Sequence, residues 1–197
     1  MSLLDFNSIP GFREAVNEET QNRELAFFSS PLPVAGVSVR HYSARHHLLL
    51  IGCDNHFLTG GIIRSEDIAM FLWFVSPEYV AGNQKLRSRF IRRNVRGLPY
   101  AETKRAIETY LSLQDWPAST PGGKKHRDHV ASVAFIVDRL ALEYGWSDEM
   151  ILEMPLARVF QYLRIMTMRA DPKALMFSPS DRLISKHLQA RMSPSAN

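Results

Sequence analysis

The stretch VASVAFIVDRLALEYG, Val130 to Gly145, decides the fold class. Its residues Val130, Val133, Ala134, Val137, Leu140, Ala141 and Tyr144 recur at three and four positions, the spacing that collects side chains on one face of an α-helix. Gly145 stands where helices commonly stop, because a residue without Cβ takes the left-handed cap at no steric cost. Ser147 is then a good N-cap, and Asp148 and Glu149 behind it favour the positive end of a short helix dipole. Pro155 suits a first helical turn and opens a further helix. In that helix Leu156, Val159, Phe160, Leu163 and Met166 share one face.

Working outward from this run, the same signals recur upstream. Pro99 opens a helix with Ile107, Tyr110 and Leu111 on one side, reaching Trp116-Pro117. Tyr79 to Val95 reads as a strongly basic helix. Ser65 caps another, with Glu66 and Asp67 in its first turn and Ile68, Phe71, Leu72 and Val75 at helical spacing, until Pro77 stops it. Ser43 caps a helix through Cys53 that carries Leu48, Leu49 and Ile51. Before these lies an arm. Pro10 starts a polar helix, Phe27 to Pro33 is extended because proline disfavours helix at the preceding residue, and Val34 to Val39 is a short strand or an extended arm without an obvious partner. Residues 117–129, rich in Pro, Gly and charge, read as an exposed loop. Ser180 to Met192 is a last weak helix before a polar tail.

The expectation is therefore a mainly α, single-domain bundle of about six or seven short helices. Its parts are an N-terminal helix and extended arm at 1–38, a helical core domain at 39–176 and a weak helix and tail at 177–197. A chain of 197 residues with 45% hydrophobic and 22% charged residues has the ordinary balance of a globular domain and can bury a core without staples. Cys53 is the single cysteine, which excludes an internal disulfide and suits a reducing compartment. The longest apolar candidate, Ile68 to Val75, is far short of the roughly 20 residues a bilayer requires, so no membrane association is expected.

Chemistry-bearing patterns are weak. His41, His46, His47, Cys53 and His56 cluster in sequence, and His126 and His129 form an H-x-x-H, but neither set has a zinc spacing and no CxxC or HExxH occurs. Gly122-Gly123-Lys124-Lys125 lacks the residues of a phosphate loop. No G-x-S-x-G is present, and no set of polar residues converges on a reaction. The expectation is a non-enzyme with no cofactor and no metal.

The informative feature is the charge between Gly82 and Gly97: Lys85, Arg87, Arg89, Arg92, Arg93 and Arg96, with no acidic residue among them. Lys85, Arg89, Arg92 and Arg96 are spaced four, three and four, so on a regular helix they form one stripe. Like charges at that spacing repel, which points to an acidic protein surface or phosphates as partner. The alternative is a solvated face neutralised by acidic residues such as Glu102 or Glu108. Nucleic acid is the weaker option, because aromatic residues are not interleaved with the cations. Met150, Met154, Met166, Met168, Met176 and Met192 add adaptable apolar surface, suited either to filling a core or to a promiscuous interface.

Two segments carry a resemblance. One is RHYSARHHLLLIGCDNHFLTGG (40–61) leading into SEDIAMFLWFVSP (65–77); the other is EYGWSDEMILEMPLARVFQYLRI (143–165). Both resemble small proteins of tailed-bacteriophage tail gene clusters, of the tail assembly chaperone type. In that family a helical body is followed by Gly-Trp, a short acidic helix and a Pro- or Leu-led amphipathic helix; here these are Gly145-Trp146, Asp148 to Leu152 and Pro155 onward. The resemblance implies a non-enzymatic role in viral morphogenesis: binding the tape measure protein, or another tail component, in the cytoplasm of the bacterial host, and absence from the mature virion. It brings no diagnostic functional residue with it. From the apolar and basic patterns we expect a client groove near Trp146, Val159, Phe160, Leu163 and Met166, flanked by Lys85, Arg89, Arg92 and Arg96, with self-association possible. The competing expectations are a head–tail connector or tail-completion protein of the virion and, after it, a nucleic-acid-binding protein.

Overall fold

A computed structural model describes residues 10–14, 16–17, 27, 31–113 and 132–170. The chain is mainly helical. The elements in chain order are β1 (Leu32–Val34), β2 (Val37–Val39), α1 (Ala44–Gly52), α2 (His56–Thr59), α3 (Ser65–Val75), α4 (Gln84–Phe90), a π-helical segment π1 (Ile91–Val95), α5 (Tyr100–Ser112), α6 (Ser132–Tyr144), α7 (Asp148–Glu153) and α8 (Leu156–Ala170). The loop expected at 117–129 and the helix expected at 180–192 lie outside the described residues, as do Met176 and Met192. Among the described residues no helix is long and apolar enough to cross a membrane.

The reading of 34–39 as a lone strand or arm is corrected. β1 and β2 pair antiparallel, with Leu32 opposite Val39 and Val34 opposite Val37. Ala35 and Gly36 both take positive φ, 49° and 79°, as a two-residue turn must when its twist has to match that of the flanking strands. Val34, Val37 and Val39 are buried in the common core. The hairpin therefore packs into the body.

α3 is the central helix. Ile68, Phe71, Leu72, Trp73, Phe74 and Val75 are all buried, as a helix apolar nearly all round demands. It packs on α1, on α5, on π1 and on β2. The segment after β2 threads between helices and ties them: Arg40 N–H donates to the Val75 carbonyl at 2.7 Å, Tyr110 Oη donates to the Arg40 carbonyl at 2.6 Å, and Leu156 N–H donates to the Tyr42 carbonyl at 2.7 Å. Tyr42, Phe71 and Tyr110 form an aromatic knot there, with centroids 6.0–6.3 Å apart. α6 packs on α7 and α8, and Arg45 of α1 pairs with Glu149 and Glu153 of α7.

Local signals explain the helix starts. Ser43 caps α1 through a capping box in which His46 takes the third position: Ser43 N–H donates to His46 Nδ1 at 3.1 Å, and Ser43 Oγ accepts from His46 N–H. Asp67 closes the first turn of α3 by accepting from Arg64 N–H at 2.6 Å, and it also accepts from His56 N–H and the His56 ring, at 3.2 and 3.0 Å. Burial pushes the Asp67 carboxyl up, but these donors outweigh it and leave it below its ordinary value.

The helix expected from Tyr79 to Val95 is corrected at both ends. It begins at Gln84, where Asn83 Oδ1 accepts from Leu86 N–H at 3.0 Å. After Phe90 it widens into π1, closed by Arg96 N–H donating to the Ile91 carbonyl five residues back, at 2.9 Å. The switch lets Phe90 stay buried against Trp73, at 5.4 Å, while Ile91 and Val95 pack against the core from the next turn.

Candidate functional site

Among the described residues no group of three or more His, Cys, Asp or Glu side chains could hold a metal ion. The histidines expected to cluster have separate structural duties. His46 is buried beneath Ser43, and burial together with the Arg40 and Arg45 guanidinium groups lowers its pKa to about 4. His47 approaches Tyr42 Oη at 3.4 Å, and its pKa is lowered by burial. His56 is held by Asp67. Cys53 is exposed and its thiol is pushed up, first by burial of the sulfur and further by the Asp67 and Asp54 carboxylates, which is the opposite of what a nucleophile requires.

The basic segment is different. Lys85, Arg89, Arg92 and Arg96 are all exposed. Among the described residues none of the four makes an ion pair. The neutralising partners expected for them are engaged elsewhere or absent: Glu108 pairs with Lys104 at 3.7 Å, Glu102 makes no ion pair among the described residues, and Glu78 pairs with Arg93, which lies off the stripe. The widened turn of π1 also redistributes the stripe. Each residue of a π-turn advances through a smaller angle than in an α-helix, so Arg96 is turned out of line with Lys85 and Arg89.

Three adjoining depressions follow this segment. The first, about 550 Å³, runs from Val80 to Lys85. The second, about 410 Å³, is lined by Gln84, Lys85, Ser88, Arg89 and Arg92. The third, about 540 Å³, has Ser88, Arg92 and Arg96 along one edge and an apolar floor of Ile68, Ala69, Ile91, Val95 and Leu98. Gln84 and Lys85 are common to the first two, and Ser88 and Arg92 to the last two, so the three adjoin as a shallow, open channel along the segment. Among the described residues no carboxylate lines any of them. At the far end Ser65 and Tyr100 contribute the first residues of α3 and α5, and Tyr100 Oη donates to the Ile63 carbonyl at 2.6 Å, which holds that ring in place.

The expected groove at α8 is corrected. Val159 (0% exposed), Phe160 (3%) and Met166 (7%) are core residues. Leu163 and Trp146 are half-buried against the same core, Trp146 stacked on Tyr144 at 4.6 Å and edge-on to Tyr162 at 4.9 Å. α8 offers its apolar stripe to the body because the chain supplies α6 to cover it. None of these five residues lines the channel beside the cations, so the structure does not bring the two expected halves of the site together. The apolar half of the channel comes from α3, π1 and the turn into α5, which sequence reading did not select. Ile91, Val95 and Leu98 looked like ordinary helix and loop residues; the one available signal was their interleaving with uncompensated arginines.

Comparison of the chain with protein-family models, with curated protein sequences and with solved structures gives no match.

Proposed function

We propose that the protein is a non-enzymatic binding protein for another polypeptide, acting as a tail assembly chaperone that holds the tape measure protein during bacteriophage tail morphogenesis. The observation that carries the binding reading is the channel: four exposed cations without carboxylate partners among the described residues, set along a groove whose floor is apolar. Unneutralised like charges on one helix cost stability in the free protein, and that cost is recovered when an acidic partner docks. A groove that joins apolar floor to charged edge suits an extended or helical polypeptide, which offers both kinds of side chain at close spacing. The assignment to tail assembly draws on the resemblance of residues 40–77 and 143–165, within which the Gly-Trp, short acidic helix and Pro-led helix occur in the family's order.

Co-expression tests the reading. A candidate tape measure protein is expected to stay in the supernatant when the chain is present and to aggregate without it. A client that is equally soluble alone removes the proposal.

A further inference from the structure

We propose that the channel along α4 and π1 is a seat for an acidic amphipathic helix, with Ser88 and Arg92 at its midpoint. The proposal rests on the reading that this protein works by holding another polypeptide, and it names the site and the chemistry of the segment held. Three features select the occupant. The cations Lys85, Arg89, Arg92 and Arg96 run over about three helical turns, or roughly 16 Å at 1.5 Å per residue, so a helical segment of about three turns with carboxylates along one edge spans them. The floor of Ile68, Ala69, Ile91, Val95 and Leu98 is apolar and concave, so the same segment must carry apolar side chains next to its acidic edge. No acidic residue lines the channel, so nothing in it repels a polyanionic strip.

A nucleic acid matches the cations but not the floor. Single-stranded binders stack successive bases on several exposed aromatic rings, and among the described residues Tyr100 is the one aromatic that lines the channel. The π1 segment is part of the design. It places Arg92 and Arg96 at the edge of the third depression, beside its apolar lining, where a continuous α-helix would keep all four cations on one outward line.

The test uses the full chain and fluorescently labelled synthetic peptides read by anisotropy. One peptide carries Glu at i, i+4, i+7 and i+11 with Leu on the adjoining face; a second has the same composition scrambled; a third has Gln for each Glu. An oligonucleotide of equal charge is the fourth probe. The patterned peptide is expected to bind at least about tenfold more tightly than the scrambled or neutral ones, and to weaken as salt rises, because exposed charges are screened within a Debye length of about 10 Å at 0.1 M. The double variant Arg92→Glu/Arg96→Glu is expected to lose that preference and to favour a peptide with Lys in place of Glu. Ser88→Trp, a substitution at an exposed position shared by two depressions, is expected to block the channel without changing its charge, and it serves if the double variant does not fold. Equal binding of patterned and scrambled peptides, tighter binding of the oligonucleotide, or unchanged binding by Ser88→Trp overturns the proposal. If the peptides fail but the client is still kept soluble on co-expression, the seat is wrong and the chaperone reading stands; if the client needs no help, the reading itself fails whichever peptides bind.

Discussion

The capping box at the start of α1 makes stability depend on pH in a way that can be measured. His46 is 4% exposed, its Nδ1 lies 3.2 Å from Ser43 Oγ and accepts from Ser43 N–H at 3.1 Å, and that last contact needs an unprotonated nitrogen. Desolvation first, and then the nearby Arg40 and Arg45 charges, lower its pKa from 6.5 to about 4. A depressed histidine is neutral when folded and protonated more readily when unfolded. Its contribution is therefore complete above pH 6.5 and is lost as the pH falls toward 4. At 1.36 kcal/mol per pKa unit the full effect is about 3 kcal/mol, with a limiting slope of about 1.4 kcal/mol per pH unit inside that window. The assay is urea unfolding followed by far-UV circular dichroism between pH 7.5 and 4.5, comparing the wild type with His46→Gln. Glutamine at this position can still accept from Ser43 N–H and does not titrate. The wild type is expected to lose stability more steeply than the variant below pH 6.5, the remaining common slope coming from His47 and the carboxylates. Parallel curves for the two proteins over that window refute the argument.

Asp67→Ala removes the acceptor for Arg64 N–H, His56 N–H and the His56 ring, and is expected to cost about 1–3 kcal/mol in the same urea assay at neutral pH, since three partly buried donors lose their acceptor. Phe160→Ala is expected to lower stability by about 3–5 kcal/mol by opening a core cavity, whereas a residue in an exposed client groove would change unfolding by little. Ala35→Asn should raise the unfolding free energy by about 0.5–1 kcal/mol, because asparagine tolerates the positive φ that the turn imposes on alanine; a lower value would contradict the two-residue turn. Mass spectrometry of purified particles separates the chaperone from a virion connector: the first is expected to be absent, the second present in fixed copy number.

Most of the helical layout was legible because it is encoded locally. The three- and four-residue spacing of Val133, Val137, Leu140 and Tyr144 defines a helix face, and Ser43, Ser147 and Gly145 act at the helix ends where their chemistry predicts. The basic stripe was legible for the same reason, since charge and spacing are properties of a short segment. The hairpin was missed because Ala35-Gly36 is a muted version of the Asn-Gly turn signal. The shift into π1 was missed because nothing in Ile91 to Val95 breaks an α-helical pattern; the demand comes from Phe90 reaching Trp73.

Taken alone, the chain determined its class, most of its helix starts and the place of its unbalanced charge. Tertiary structure decided which oily faces are spent on the core and which remain for a partner. Periodicity says which side chains share a face, but burial depends on what arrives from distant parts of the chain. Val159 and Phe160 are buried because α8 is pinned at its start by Tyr42 and covered by α6, while Ile91 and Val95 still floor an open channel because no described element lies over them.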